Sequence, residues 1–222
     1  MIINMTEAVK PRYDKSNVDS IVSYAKKLVD QTLREAMHHD IDFQEALAVK
    51  VKGKFGQFLE KYYFEIDNNS ASEPDFKEVG MELKSTPLKK LKSGEYSPKE
   101  RLVLNIINYE TIVDEKWEES HFLSKNQLLL LVLYLYETEK SFLDYLIKYV
   151  AFWKIEGEEK EIIRQDWEKI VNKVREGKAH ELSEGDTFYL GACRKGHKEA
   201  PRKYSSGEIP AKQRAFSFKL KF

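Results

Sequence analysis

The chain has 222 residues, of which 41% are hydrophobic and 12% aromatic, enough for one core-bearing domain with at most an appended lobe. Its 37 basic and 37 acidic residues cancel, which argues against a general polyanion binder but leaves room for local basic surface. A single cysteine, Cys193, excludes an internal disulfide, there is no apolar leader at the amino terminus, and no apolar run approaches the roughly 20 residues of a membrane helix; a soluble, cytoplasmic protein with no membrane partner is expected.

In chain order, Asn17 to Met37 predicts an amphipathic helix, with Val18, Ile21, Val22, Ala25, Leu28, Val29, Leu33 and Met37 at helical spacing. A second helix is expected over Phe43 to Tyr63. Gly53 and Gly56 lie inside it, and predict either close approach of another backbone or a break between two helices. Asn68 to Glu73 reads as a loop. Strands follow at Val79–Ser85, Leu102–Ile107, Leu128–Tyr136 and Leu146–Trp153, and the third (LLLLVLYLY) has the composition of a buried central strand. Glu159 to Glu176 predicts a helix with the stripe Ile162, Ile163, Trp167, Ile170, Val171 and Val174, ended by Gly177. Lys178 to Phe222 mixes short apolar pieces with basic, Gly/Ser-rich loop and reads as a binding arm on a rigid scaffold. The fold class is α/β, a mixed β-sheet flanked by helices.

Charge is unevenly placed. Lys84 to Arg101 and Arg194 to Lys221 are basic, whereas Glu156 to Glu161 is acidic. Basic segments near a phosphate-cleaving site can follow a nucleic-acid backbone.

The segment Glu73 to Lys84 (EPDFKEVGMELK) carries the chemistry. Asp75 and Glu82 can hold a hard divalent cation, and Lys84, two residues after Glu82, shares its side of a strand because side chains alternate. Two carboxylates and an ammonium at a strand end suit metal-assisted hydrolysis of a phosphodiester. An acid two positions before a lysine recurs at Asp114–Lys116, Glu158–Lys160 and Glu176–Lys178, where a solvated pair is the natural reading. The first copy differs in its setting. Val79, Met81, Leu83 and Ser85 alternate with Gly80, Glu82, Lys84 and Thr86, which puts Glu82 and Lys84 on one face, and Pro87 is expected to stop the strand. His38-His39-Asp40 reads as a helix-end cap. Cys193 has no evident base partner. Tyr134, Tyr136, Tyr145, Phe152 and Trp153 read as packing.

Spaced blocks in one order from Lys52 to Lys219 resemble a known family. They are Lys52–Glu60 (KGKFGQFLE), Pro74-Asp75, Gly80–Pro87 (GMELKSTP), Trp117–His121 with Lys125, Asp166–Glu168, Gly185 to Leu190, Lys195-Gly196 and Arg214–Lys219. Together they are similar to the family that unites the mismatch-repair nicking endonuclease MutH with the GATC-cutting type II restriction enzymes.

The resemblance implies a PD-(D/E)xK restriction-endonuclease-like fold and Mg²⁺-dependent cleavage of double-stranded DNA containing GATC. It implies metal ligation by Asp75, Glu82 and the Leu83 carbonyl, and catalytic roles for Lys84, Glu60 and Lys125. It implies DNA contacts by Lys52, Gly53, Arg194, Lys195, Ser217 and Lys219. Residues 1–45 are expected to form an amino-terminal helical part, 46–155 the catalytic core and 156–222 the DNA-reading helix, loops and arm of one endonuclease domain. Two departures from the family pattern matter. Cys193 and Arg194 stand where an arginine reads guanine, and Ser217 stands where a tyrosine senses adenine methylation, so tolerance of N6-methyladenine is expected. The chain is expected to be the amino-terminal domain of a two-domain enzyme, so that double-strand cutting calls on a further carboxy-terminal domain, a second copy or two sequential nicks. Other readings are a repair nickase and a non-cleaving DNA-binding module. Clustered carboxylates argue against the last, because they repel DNA unless a cation lies between.

Overall fold

The structure, a computed structural model, describes residues 12–37, 53–66, 73–196, 201–202, 209 and 211–219. The first helix, α1 (Val18–Lys26), starts where the Asn17 side chain accepts the Ser20 N–H. The single helix expected to Met37 is two. Asp30 has φ 60°, its N–H donates to the Ile147 carbonyl at 2.8 Å, and the Ile147 N–H donates to the Gln31 carbonyl at 2.9 Å. The chain thus leaves the helix to bridge a strand, and α2 (Leu33–Ala36) restarts from a capping box between Thr32 and Glu35. Of the expected stripe, Ile21, Ala25, Leu28, Leu33 and Met37 are buried.

Gly53, at φ 81°, opens α3 (Lys54–Phe58), which runs on as a π-helical turn over Leu59–Tyr63. A Cβ on Gly56 would stand 3.1 Å from the Ser85 hydroxyl, so this glycine admits a neighbouring strand. The earlier half of the predicted second helix, Lys52 and His38-His39-Asp40 lie outside the described residues.

The remaining elements are β1 (Met81–Lys90), β2 (Tyr96–Pro98), β3 (Leu102–Ile106), α4 (His121–Asn126), β4 (Leu128–Leu135), β5 (Ile147–Lys154), α5 (Gly157–Arg175), β6 (Leu190–Arg194), β7 (Pro201–Arg202), β8 (Ala211–Lys212) and β9 (Arg214–Phe218). A mixed four-stranded sheet has the order β2-β1-β4-β5, with β1 and β4 parallel and the other pairs antiparallel. β4 is interior, as its composition predicts. Its neighbours Leu129 and Leu130 enter opposite hydrophobic clusters, which is why the strand is apolar without alternation.

Three expectations are corrected. β3 leaves the mixed sheet and joins a three-stranded antiparallel sheet, β3-β9-β6. The expected carboxy-terminal arm supplies the other two strands of that sheet, where Leu190, Ala192, Ala215, Phe216, Ser217 and Phe218 are all buried. Burial on both faces erases the period-2 pattern by which strands are recognised. Pro87 does not end β1, which continues to Lys90. The Pro87 carbonyl accepts the Lys99 N–H at 2.8 Å on the edge away from β4, so the missing donor falls outside the β1–β4 ladder.

One cluster packs α1, α2 and α3 on one face of the mixed sheet through Ile21, Leu28, Phe64, Met81, Leu83 and Leu130. The other, around Trp167, Val171, Phe122, Leu190 and Phe216, seats α5 and the second sheet. α5 buries Ile163, Trp167, Ile170, Val171 and Val174 as its stripe predicts, and Gly177 at φ 75° follows it. Phe152 is 41% exposed rather than packed. No helix among the described residues is long and apolar enough to cross a membrane.

Candidate active site

Asp75 is turned back onto β1 by a short loop. The Phe76 N–H donates to the Met81 carbonyl at 2.9 Å, the Met81 N–H donates back at 3.2 Å, and Gly80 at φ 65° closes the turn between them. The Asp75 carboxylate accepts the Leu83 N–H at 2.9 Å. A strand residue turns its N–H and C=O to the same edge, so the Leu83 carbonyl also points to the edge where Asp75 sits. Glu82 and Lys84 share a face, as alternation predicts. Lys84 Nζ lies 2.5 Å from Glu82 Oε1, and Lys125 Nζ lies 3.7 Å from the same oxygen. Lys125 also donates to the Glu73 carbonyl at 3.3 Å. It stands near the end of α4, which is tied down by Asn126, whose amide donates to Asn105 Oδ1 at 2.9 Å and to the Phe122 carbonyl at 2.8 Å. Glu82 is 2% exposed, and its Oε2 has no hydrogen-bond partner among the described residues.

Glu60, on the π-helical turn, faces the same cluster. Burial pushes its carboxyl up to about 7, with repulsion from Asp75 and Glu82 adding to the shift and Lys84 and Lys125 opposing it. Burial raises the Glu82 carboxyl as well, against the pull of Lys84. Glu60, Asp75, Glu82, Lys84 and Lys125, the five side chains expected to be catalytic, therefore lie in one electrostatic neighbourhood.

The shift has a testable consequence. A carboxyl raised in the folded state binds more protons there than in the unfolded chain between its ordinary value, 4.5, and about 7. Its contribution to stability is therefore present at low pH and is lost as pH rises through that window. In EDTA, the thermal midpoint of the parent relative to Glu60→Gln should fall between about pH 4.5 and 7 and level off above. A pH-independent difference between the two would contradict a raised Glu60.

On the face of β1 that carries Glu82 and Lys84, a groove of about 330 Å³ opens between the two sheets. Thr86, Leu131 and Trp153 line one wall, and Phe218 and Lys219 the other. A second groove of about 510 Å³ shares Phe218 and Lys219 and runs on to Arg101, Ser217 and Phe188. Of the expected DNA-contacting residues, Lys219 lines both grooves and Ser217 is 1% exposed, lying at the floor of the second. Arg194 and Lys195 are exposed at the end of β6, whereas Cys193 is buried. Gly53 begins α3.

The chain is similar to several known proteins. The family model for the DNA mismatch repair enzyme MutH matches residues 64–166. The type II restriction enzyme Sau3AI of Staphylococcus aureus is 47% identical over 171 residues, 76% of this chain and 35% of that enzyme. The DNA mismatch repair protein MutH of Vibrio campbellii is 28% identical over 172 residues, 77% of this chain and 74% of the relative. These matches support a MutH- and Sau3AI-like family for the chain. It spans about a third of the restriction enzyme's length and about three quarters of the Vibrio protein's. The mixed sheet with flanking helices is the α/β PD-(D/E)xK-like fold of that family.

The MutH-like site suits the divalent cation that this fold implies. Among the described residues no group of three or more His, Cys, Asp or Glu side chains is set to hold a metal ion. The oxygens that would hold it are the carboxylates of Asp75 and Glu82 and the Leu83 carbonyl. That is the sparse, all-oxygen protein share a Mg²⁺ ion takes when it keeps waters and binds a substrate phosphate. The unpartnered, buried Oε2 of Glu82 is consistent with such a ligand.

Sequence reading quoted Asp166 only as part of a block and missed its part in this MutH-like scaffold. Its buried carboxylate accepts the N–H groups of Phe188, Tyr189 and Leu190 at 2.9, 2.6 and 2.9 Å, fixing the segment that rims the second groove. A lone acid inside the apolar stripe of a helix was the available signal. Thr86 lies within the Gly80–Pro87 block and Arg101 ends the basic segment Lys84 to Arg101, but no local spacing marks either one as a groove residue.

Proposed function

We propose that the chain is a divalent-metal-dependent, sequence-specific endodeoxyribonuclease acting at GATC in double-stranded DNA, the catalytic part of a type II restriction enzyme that works in the cytoplasm. The observation that carries this reading is the convergence of Asp75, Glu82 and Lys84 on β1 beside the groove, with Glu60 and Lys125 from separate helices. Asp75, Glu82 and the Leu83 carbonyl would hold a divalent cation such as Mg²⁺, which when bound would supply Lewis-acid polarisation of the phosphoryl oxygen and lower the pKa of a water.

Lys84 is placed to orient the attacking water and to balance the charge that grows on the phosphoryl oxygens. Lys125 leaves Glu82 to meet a phosphate when DNA enters. Glu60 faces the same cluster from the π-helical turn and is placed to position Lys84 or the attacking water. Water adds to phosphorus as the bond to the 3′ oxygen breaks, that oxygen takes up a proton from solvent, and the products are a 5′-phosphate and a 3′-hydroxyl.

Arg194 and Lys195 offer cationic donors to the two major-groove acceptors of guanine, and the burial of Cys193 leaves Arg194 as the exposed side chain of that pair. Lys219 and Arg101 meet backbone phosphates, as do Lys52 and the Gly53 backbone. Ser217 is too short to clash with a methyl group on adenine. The test is digestion of supercoiled plasmids with and without GATC, each with and without adenine methylation. Products should end at GATC with similar rates on both methylation states, and a block by methylation would remove Ser217 from this role.

The repair-nickase reading is favoured by one observation, the match of the MutH family model over residues 64–166. One set of catalytic residues cuts one strand per binding event. The two readings divide on whether linear product, or only nicked circle, accumulates. Linear product comes from a second copy, from a further domain such as the longer relative has room for, or from two successive nicks.

A further inference from the structure

Phe188 is the most exposed large apolar side chain among the described residues, at 69%. A solitary exposed apolar side chain is ordinary. Phe188 differs in two respects. Its backbone is fixed, because three successive N–H groups beginning with its own converge on the buried Asp166 carboxylate, and charge-assisted bonds of this kind are the strong ones. Its ring also stands edge-on to Tyr189, with centroids 4.8 Å apart. The second difference is position. Phe188 rims the groove that contains Arg101 and Lys219, and that groove shares Phe218 and Lys219 with the one that reaches Thr86, two residues beyond Lys84. Arg101 pairs with Glu184 and Lys219 donates to the Thr187 carbonyl, so a duplex that drew these cations onto its phosphates would pass the ring.

We infer that Phe188 is an apolar wedge that presses into a base step of the bound duplex, an inference that rests on the nuclease reading. A phenyl ring has nothing to offer a phosphate, so on a DNA-facing rim its partners are base faces and thymine methyl groups. Unstacking a step costs a few kcal/mol, and the resulting bend brings more backbone against the protein. Because Asp166 already holds the segment, no ordering cost falls on binding at that point.

The test scans 2-aminopurine through GATC and its flanks in duplexes bound, with Mg²⁺, to an Asp75→Asn protein. Fluorescence should rise several-fold at one step. Adding Phe188→Ala should return it to the level of free duplex, and Phe188→Leu should keep most of the rise. With Asp75 restored, Phe188→Ala should lower cleavage about tenfold at DNA concentrations below saturation and much less at saturation. A scan with no rise, or a rise that survives Phe188→Ala, overturns the wedge. Plasmid cleavage by the parent protein together with a silent scan rejects the wedge alone. A parent that binds DNA and never cuts rejects the nuclease reading while leaving the scan decisive, and a parent that does not bind DNA rejects both.

Discussion

Asp75→Asn is expected to lower the single-turnover rate of cleavage at GATC by about a thousandfold or more, with DNA binding in Mg²⁺ weakened far less. The asparagine oxygen can still accept the Leu83 N–H that Asp75 accepts at 2.9 Å, so the turn onto β1 survives. What is lost is a negative charge beside Glu82 and the Leu83 carbonyl, the other oxygens of the proposed cation site. Lys84→Ala should act on the same rate by a comparable factor, since its ammonium stands 2.5 Å from Glu82 and shares the groove face. Glu158→Gln, in one of the sequence copies that share the acid–lysine spacing, supplies the control and should leave the rate unchanged, because Glu158 is exposed on α5. A loss of less than tenfold on Asp75→Asn would remove Asp75 from the chemistry.

Asp166→Ala is expected to give the largest loss of stability, on the order of 3–5 kcal/mol, read as a fall in the urea midpoint at constant slope. Three N–H groups lose a charged acceptor at once, and that of Leu190 is buried at the head of β6. Total stabilities run to only about 5–15 kcal/mol, so the variant should be marginal at 37 °C. Asp166→Asn keeps one acceptor oxygen and should cost less, about 1–2 kcal/mol. A loss below about 1 kcal/mol for the alanine variant would mean that water replaces the carboxylate and that the segment is not held by it.

Much of the site was legible because its parts are close in sequence. Asp75, Glu82 and Lys84 lie within ten residues, and the period-2 rule put the last two on one face, where the structure has them in contact. Glu60 and Lys125 came from resemblance alone, since residues brought together by tertiary packing leave no local spacing. The fold was read well where one face is buried, as in α5, or where a run is apolar throughout, as in β4. It was misread where local chemistry outranks periodicity. Thr32-x-x-Glu35 caps a new helix inside an unbroken apolar stripe, and a proline sits in β1 without ending it because its nitrogen faces the edge away from β4. β6 and β9 read as an arm in the sequence because strands buried on both faces, with small residues such as Gly191, Ala192 and Ala215, carry no alternating signal.

The most direct test of the central claim follows a single-site GATC duplex, labelled on each strand, in rapid-quench reactions with the unaltered chain across a Mg²⁺ titration. The account predicts scission at GATC that rises with Mg²⁺, is abolished by EDTA, and leaves a 5′-phosphate and a 3′-hydroxyl. A duplex that is bound yet stays intact at every Mg²⁺ concentration would contradict it.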